Sequence, residues 1–393
     1  MNGEDRSGLE IARRLMDDYT HRTGLMENNG DESERYLRTD AFAVQTLFGL
    51  SYALEEDFYS EKALTLIDLV HEKLGRFHPN DDRKGWISGL PEEEGRNHPT
   101  AGGLRIGKKM PERGADEPLN NRLEWERDGQ YFHYISRWIK ALLQAEKETG
   151  DQKFATWAAE LIQACKQFIS SESGIPKMYW KMSVDLSRPL VPSMGAHDPL
   201  EGLICIKTLK ETIPEETFEL EKLEEDFEIM CSERRNWFTT DPLGIGGLLL
   251  NTLRSAESSH SKEELPDSIT PKKLFLDSIN SLRNFTQTYD PHRPAGQRLA
   301  FQECGLSLGL HALYGMKAYL KTPDLHIEGL EKYIPVARGI ENFWLDKDNQ
   351  NATTWINHLN INAVSLAASL VSNAEPFAFS GIANPEAHSY VVE

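Results

Sequence analysis

Residues 128–149 read DGQYFHYISRWIKALLQAEKET, and the spacing of their apolar side chains decides the fold. Tyr131, Phe132, Ile135, Trp138, Ile139, Leu142 and Leu143 fall at i, i+3, i+4, i+7, the stripe of a helix with one apolar face. An acid followed by Gly-Gln opens the segment and Gly150 closes it, so a helix is predicted from Asp128 to Thr149. Just upstream stand Arg122, Glu124, Trp125 and Glu126, and His133 lies about one turn inside. A helix whose entrance carries carboxylate, imidazole and indole groups reads as one wall of a pocket.

The same arrangement recurs along the chain. Helices apolar on nearly every side are predicted to start near Asp40, Asp128, Asp198, Asp241, Glu303 and Thr354. Helices with one charged face are predicted over 7–22, 60–76, 151–170, 216–235, 271–288 and 327–343. A helix apolar all round belongs inside and one with a polar face outside, so the chain alternates six of each. Links from inner to outer helix are mostly short, whereas links from outer to inner include the long stretches 77–127, 171–197 and 289–301. That asymmetry describes a ring of helical hairpins with the long loops at the mouths of the inner helices: an all-α (α/α)6 toroid. An α-solenoid is the rival, but it requires a regular period. The inner-helix starts lie 88, 70, 43, 62 and 51 residues apart, which does not suit one.

The expected organisation is a single toroid domain over 1–371 with an extended or disordered tail over 372–393, where Pro376, Gly381 and Pro385 interrupt any helical period. Within the loops, GWISGL and GGLRIG are candidates for a small β-hairpin, and MYWKMSVDL alternates like a strand. Loops this long in a compact domain are usually functional.

The formal charge of −19 argues against nucleic acid, which needs a basic patch. Cys165, Cys205, Cys231 and Cys304 are scattered with no CxxC, so buried thiols are expected and neither a metal site nor a cofactor is. With no apolar leader and no run approaching 18 apolar residues, a soluble cytoplasmic protein without a membrane partner is expected.

Five inner helices begin with a carboxylate: Asp40, Asp128, Asp198, Asp241 and Glu303. The bland explanation is capping, since an acid at a helix N-terminus bonds the open amides and meets the helix dipole. The functional one is convergence, because a ring of six mouths would gather these acids around one funnel. Counting around such a ring sets Asp128 opposite Glu303, with Asp198 and His358 to the sides and Asp40 near the first mouth. Carboxylates on opposite walls with water between them are what an inverting glycosidase requires. The proton donor of such a pair must have its pKa raised by burial or a neighbouring charge. Trp125, Trp180 and Trp355 stand in polar contexts and are candidate sugar platforms, while Arg38, Arg122 and His197 are candidate substrate contacts. His133, His311 and His358 keep a proton-shuttling epimerase in view.

Through DGQYFHY, AHDPLEG and the mouth at Trp355–His358, the chain resembles the six-hairpin glycosidase-like superfamily over roughly residues 7–371. The resemblance implies a carbohydrate in the funnel, acid/base residues at the inner-helix mouths, and a catalytic role at the position of Asp128. The sugar 2-epimerases of that fold carry an arginine- and tryptophan-rich signature that is not evident here. The leading expectation is therefore a glycoside hydrolase-like enzyme acting on a small saccharide through Asp128 and Glu303. Behind it stand a sugar epimerase using His133, His311 or His358, and a non-catalytic sugar-binding toroid whose acids only cap helices.

Overall fold

Twelve helices of at least a dozen residues follow one another along the described chain. The computed structural model describes residues 3–26, 34–170, 174–213, 220–258, 265–315, 317 and 327–376. The helices are α1 (Gly3–Arg22), α2 (Leu37–Leu54), α3 (Asp57–Leu74), α4 (Phe132–Thr149), α5 (Lys153–Ala164), α6 (Asp198–Thr212), α7 (Glu221–Ser232), α8 (Pro242–Ser258), α9 (Pro271–Thr288), α10 (Ala300–Gly315), α11 (Ile334–Leu345) and α12 (Leu359–Ala374).

Their burial follows the apolar pattern. In α2 every residue over 39–50 is buried, as are 245–256 in α8, 303–313 in α10 and 362–372 in α12. By contrast α9 buries one stripe (Leu274, Phe275, Ser278, Ser281, Leu282, Phe285), and α11 buries Ala337, Ile340, Glu341 and Trp344. A helix that is apolar all round has no face to offer water, so it goes inside. The exception is α5, expected to show a polar face. Most of its residues are buried, because the preceding long loop lies against it. The indole of Trp157 donates to Asn97 O at 2.8 Å, and Glu160 accepts from Thr100 and meets His98 Nδ1 at 2.5 Å.

The described chain divides into two compact units. One takes residues from 1–22, 45–61 and 234–393, the other from 23–44 and 62–233. In the first, α10 packs against α8, α11 and α12, and α12 against α1. In the second, α4 packs against α5 and α6, and α6 against α7. Phe132 anchors that core between Phe168 and Phe227, at ring distances of 6.0 and 5.7 Å.

The loops differ from expectation in detail. Residues 77–127 form no hairpin; Arg76 and Trp86 make an isolated antiparallel bridge, and short helices occupy Glu92–Asn97 and Asn121–Glu124. The second long loop does carry strands. β2 (Ile169–Ser170) pairs with β3 (Lys177–Met178), and β1 (Gln130–Tyr131), β4 (Lys181–Met182) and β5 (Pro189–Val191) form a sheet in the order β1-β4-β5. At the C-terminal end, α12 continues through Ser372, whose hydroxyl donates to Leu308 O at 3.4 Å. The rest of the expected tail, from 377 onward, lies outside the described residues. All four cysteines are buried, and none forms a disulfide. No helix among the described residues is long and apolar enough to cross a membrane.

Candidate active site

Asp128 does not open the helix, as the sequence suggested; α4 starts four residues later, at Phe132. A non-local contact takes the intervening residues away from the helix. Gln130 and Tyr131 pair antiparallel with Met182 and Lys181, about fifty residues downstream. Gly129, with φ of +147°, makes the approach possible, since a Cβ there would sit 2.7 Å from Met182 O. The Asp128 carboxylate instead closes the loop before it. Its Oδ2 accepts from Arg105 Nη1 at 2.9 Å, and its Oδ1 from the amides of Gly107 and Lys108 at 3.0 and 3.2 Å. Arg105 also donates to the carbonyls of Arg76 and Lys73.

One turn beyond, aromatic rings gather around His133. Its Nδ1 accepts from the Trp180 indole at 3.1 Å, and its ring lies 5.8 Å from Trp180 at an interplanar angle of 26°. Tyr131 and Tyr134 flank it at 5.1 and 4.6 Å. Trp125 meets Trp180 edge-on at 4.7 Å while remaining 51% exposed. Burial, reinforced by the charges of Arg38 and Arg137, lowers the His133 pKa to about 3, against the opposing pull of Glu201. The imidazole is therefore neutral at physiological pH, and with Nδ1 accepting, its proton belongs on Nε2. Tyr36 extends the ring wall by bonding the Tyr134 hydroxyl at 2.8 Å, and burial, then Tyr134, raises its pKa.

A buried ammonium holds this wall in place. Lys181, on β4 next to Trp180, donates to Glu124 O and Arg127 O at 2.7 and 2.8 Å and to Glu124 Oε1 at 2.9 Å. Those acceptors bracket Trp125, and Arg113 Nε covers Glu124's other oxygen at 3.1 Å. Burial pulls the Lys181 pKa down, and the Glu124 carboxylate works against it.

Helix α6 adds the acids. Asp198, its first residue, accepts from Gly195 N at 3.1 Å. Glu201, three residues on, pairs with Lys140 and, at 3.2 Å, with Arg137. His197 precedes α6, half-buried. Asp40 lies in the first turn of α2, where it accepts from Tyr36 N at 3.2 Å and faces Arg35 at 3.7 Å. Arg38 lies over the Tyr134 ring at 5.8 Å, whereas Arg122 is exposed.

The remaining expected site residues belong to the other unit and are engaged differently. Asp241 caps α8 through Gly244 N at 2.8 Å. Glu303 takes Arg298 Nε at 2.9 Å on one oxygen, and Arg298 Nη2 and the Trp344 indole, both at 2.8 Å, on the other. Trp355 is 3% exposed and stacks on Trp344 at 5.7 Å, while His358 is exposed beside Phe301. His311 meets Glu341 at 2.9 Å inside the core.

Sequence reasoning missed Tyr36, Tyr134, Arg137 and Glu201. For Glu201 a signal existed, because i and i+3 share a helix face and Asp198 was already marked. The other three draw their meaning from contacts across elements. Among the described residues, no group of three or more His, Cys, Asp or Glu could hold a metal ion.

No family model and no curated protein sequence matches the chain. Solved structures do. An α-1,6-mannanase of Salegentibacter sp., an inactive variant with two adjacent aspartates changed to alanine and bound to α-1,6-mannotetrose, is 13% identical with a TM-score of 0.55, covering 94% of this chain and 99% of that one. A GH76 α-mannanase of Bacteroides thetaiotaomicron is 11% identical with a TM-score of 0.53, covering 95% and 96%. Likeness at this identity is likeness of fold, and in fold the chain is an (α/α)6 toroid.

Proposed function

We propose that the chain is a carbohydrate-active enzyme of the glycoside-hydrolase type, binding a small saccharide against the ring wall at the mouths of α2, α4 and α6. The observation that carries this reading is Trp125, half exposed against Trp180 beside the neutral His133. An indole kept in water by a buried salt bridge beneath it offers an apolar face and a polar edge, which is what a sugar ring needs. The similar mannanase is bound to an oligosaccharide of α-1,6-linked mannose, which makes manno-oligosaccharides the first substrates to try.

Hydrolysis requires a proton donor and a carboxylate that acts on water or on the sugar. The mannanase loses activity when two adjacent aspartates are replaced, but here adjacent aspartates occur only at Asp17-Asp18, on α1, and Asp81-Asp82, in a loop. A catalytic pair in this chain is therefore drawn from acids separated in sequence. Asp198 is our first candidate, since it opens an inner helix that packs on α4; both oxygens of Asp128 are engaged by Arg105 and two backbone amides, which suits a structural role. Glu303, with both oxygens engaged by Arg298 and Trp344, fits a structural role better. His133 is a poor base at a pKa of about 3, and its Nδ1 is occupied, which favours hydrolysis over histidine-driven epimerisation.

The test is reducing-sugar release from a panel that includes α-1,6-mannotetrose. Release that disappears in Asp198→Asn supports the proposal. Incorporation of solvent deuterium at a sugar carbon without bond cleavage would replace it with epimerisation, and binding with neither reaction would leave a sugar-binding toroid.

A further inference from the structure

Beside the ring wall lies a cavity of about 90 Å³, lined by His78, Asp81, Arg105, Lys108, Glu112 and Asp128 among others. It is well below the ~300 Å³ at which clefts begin to enclose drug-sized ligands, so it suits a single substituent better than a whole sugar ring. Its acids are already answered. Asp128 is held by Arg105 and two backbone amides, and Arg83 takes Asp81 at 2.9 Å and Glu112 at 2.7 Å. The other Glu112 oxygen accepts from Val184 N at 2.6 Å.

Lys108 is the exception. Half-buried, its ammonium stands 5.3 Å from the Tyr36 ring and has no salt-bridge partner among the described residues. Tyr36 in turn bonds Tyr134, so the cavity and the ring wall share a border. In a chain of net charge −19, a half-buried cation with no counter-ion among the described residues, next to the proposed sugar-binding face, is a place for the ligand to bring the missing charge.

We infer that this cavity receives the acidic substituent of the saccharide, a carboxylate or a phosphate ester, with the Lys108 ammonium as its counter-ion. The inference rests on the saccharide reading above and narrows it to acidic sugars. The acid of the ligand replaces water around Lys108, and the arginine-neutralised walls keep Asp81, Glu112 and Asp128 from repelling it.

Calorimetric titration of the full chain with mannose, glucuronic acid, mannose 6-phosphate and inorganic phosphate tests it. At least one acidic sugar should bind about tenfold more tightly than mannose, with a gain that shrinks as salt is added. Lys108→Met should abolish that gain and Lys108→Arg should keep it; Lys108→Gln is the alternative should the methionine variant fail to fold. A preference between glucuronic acid and mannose 6-phosphate identifies which acid is read. Acidic sugars that bind no better than mannose, or a gain that survives loss of the lysine charge, would overturn the inference. Inorganic phosphate binding as tightly as the sugar phosphate would also overturn it, by separating the anion from the sugar. If neutral oligosaccharides bind while the acidic gain is absent, this inference fails alone; if no saccharide binds at all, the functional reading fails with it.

Discussion

At the mouths of α4 and α6 the indoles of Trp125 and Trp180 stay partly in water, and among the described residues Nε2 of His133 has no hydrogen bond and the nearby Lys108 ammonium no salt bridge. At the mouths of α10 and α12, in the other unit, His358 is exposed but the carboxylate and the indole are used up. Glu303 is saturated by Arg298 and Trp344, Trp355 is stacked away, and the Arg298 guanidinium lies 3.6 Å from the Phe343 ring. Carboxylate and indole at an inner-helix mouth are thus equally able to make a site or a plug. What separates the two outcomes is whether a neighbouring arginine or ring reaches the group first.

The largest effect should come from breaking the plug. Glu303→Gln leaves the buried Arg298 without its counter-charge, and stability to urea should fall by about 3–5 kcal/mol, the usual cost of orphaning one partner of a buried pair. Asp198→Asn should cost far less stability while removing activity. If Glu303→Gln keeps its stability and loses sugar release, the comparison reverses and Glu303 is the catalytic acid.

Acid should distinguish the units next. In the second unit His71 is buried, accepts from the Trp138 indole at 3.0 Å, and is driven by burial from 6.5 to about 3. Between those values the unfolded chain takes up a proton that the folded chain refuses. Stability contributed there is complete above pH 6.5 and lost on acidification, by about 1.4 kcal/mol per pH unit, down to pH 3. In the first unit, burial works to raise the pKa of Glu341, but His311, Ser369 and Ser307 hold it below 4.5. Its contribution is present above 4.5 and fades only below that. Hydrogen-exchange protection factors measured at pH 7 and pH 5 should therefore drop in α3 and α4 before α10 and α11. Uniform loss would refute the difference.

Trp125→Ala comes third. The side chain is half exposed, so stability should change by no more than about 0.5 kcal/mol. Saccharide binding should weaken about tenfold, the loss expected for an indole at the centre of a contact. Trp355→Ala should behave in the opposite way, with stability lost and binding kept, because its ring is packed on Trp344.

This contrast also marks what the sequence could and could not reveal. The alternation of inner and outer helices was legible because burial writes itself into local periodicity, as in α2 against α9. The position of Asp128 was not, since strand pairing with residues about fifty positions away moved the helix start to Phe132. Nor was the fate of the acids. Arg298 stands five residues before Glu303 and was visible in the sequence, but nothing local said that its guanidinium would fold back, whereas Arg105 reaches Asp128 across 23 residues. Tyr36 and Tyr134 are 98 residues apart, and only the fold joins their hydroxyls.

The smallest effect, and the most specific, concerns Lys181. Its ammonium ties the carbonyls on either side of Trp125 to the strand that carries Trp180, so it sets the angle between the two indoles without facing the ligand. Lys181→Met removes those bonds yet leaves Glu124 paired with Arg113, so the fold should survive. Binding should weaken about threefold through loss of alignment. A lysine that acts through Trp125 has nothing left to align in Trp125→Ala, so the double variant should bind no worse than Trp125→Ala alone. That amounts to a coupling of roughly 0.5–1 kcal/mol in a double-mutant cycle. Strictly additive losses would mean that Lys181 supports the site by some other route, and that the exposure of Trp125 is not held by the salt bridge beneath it.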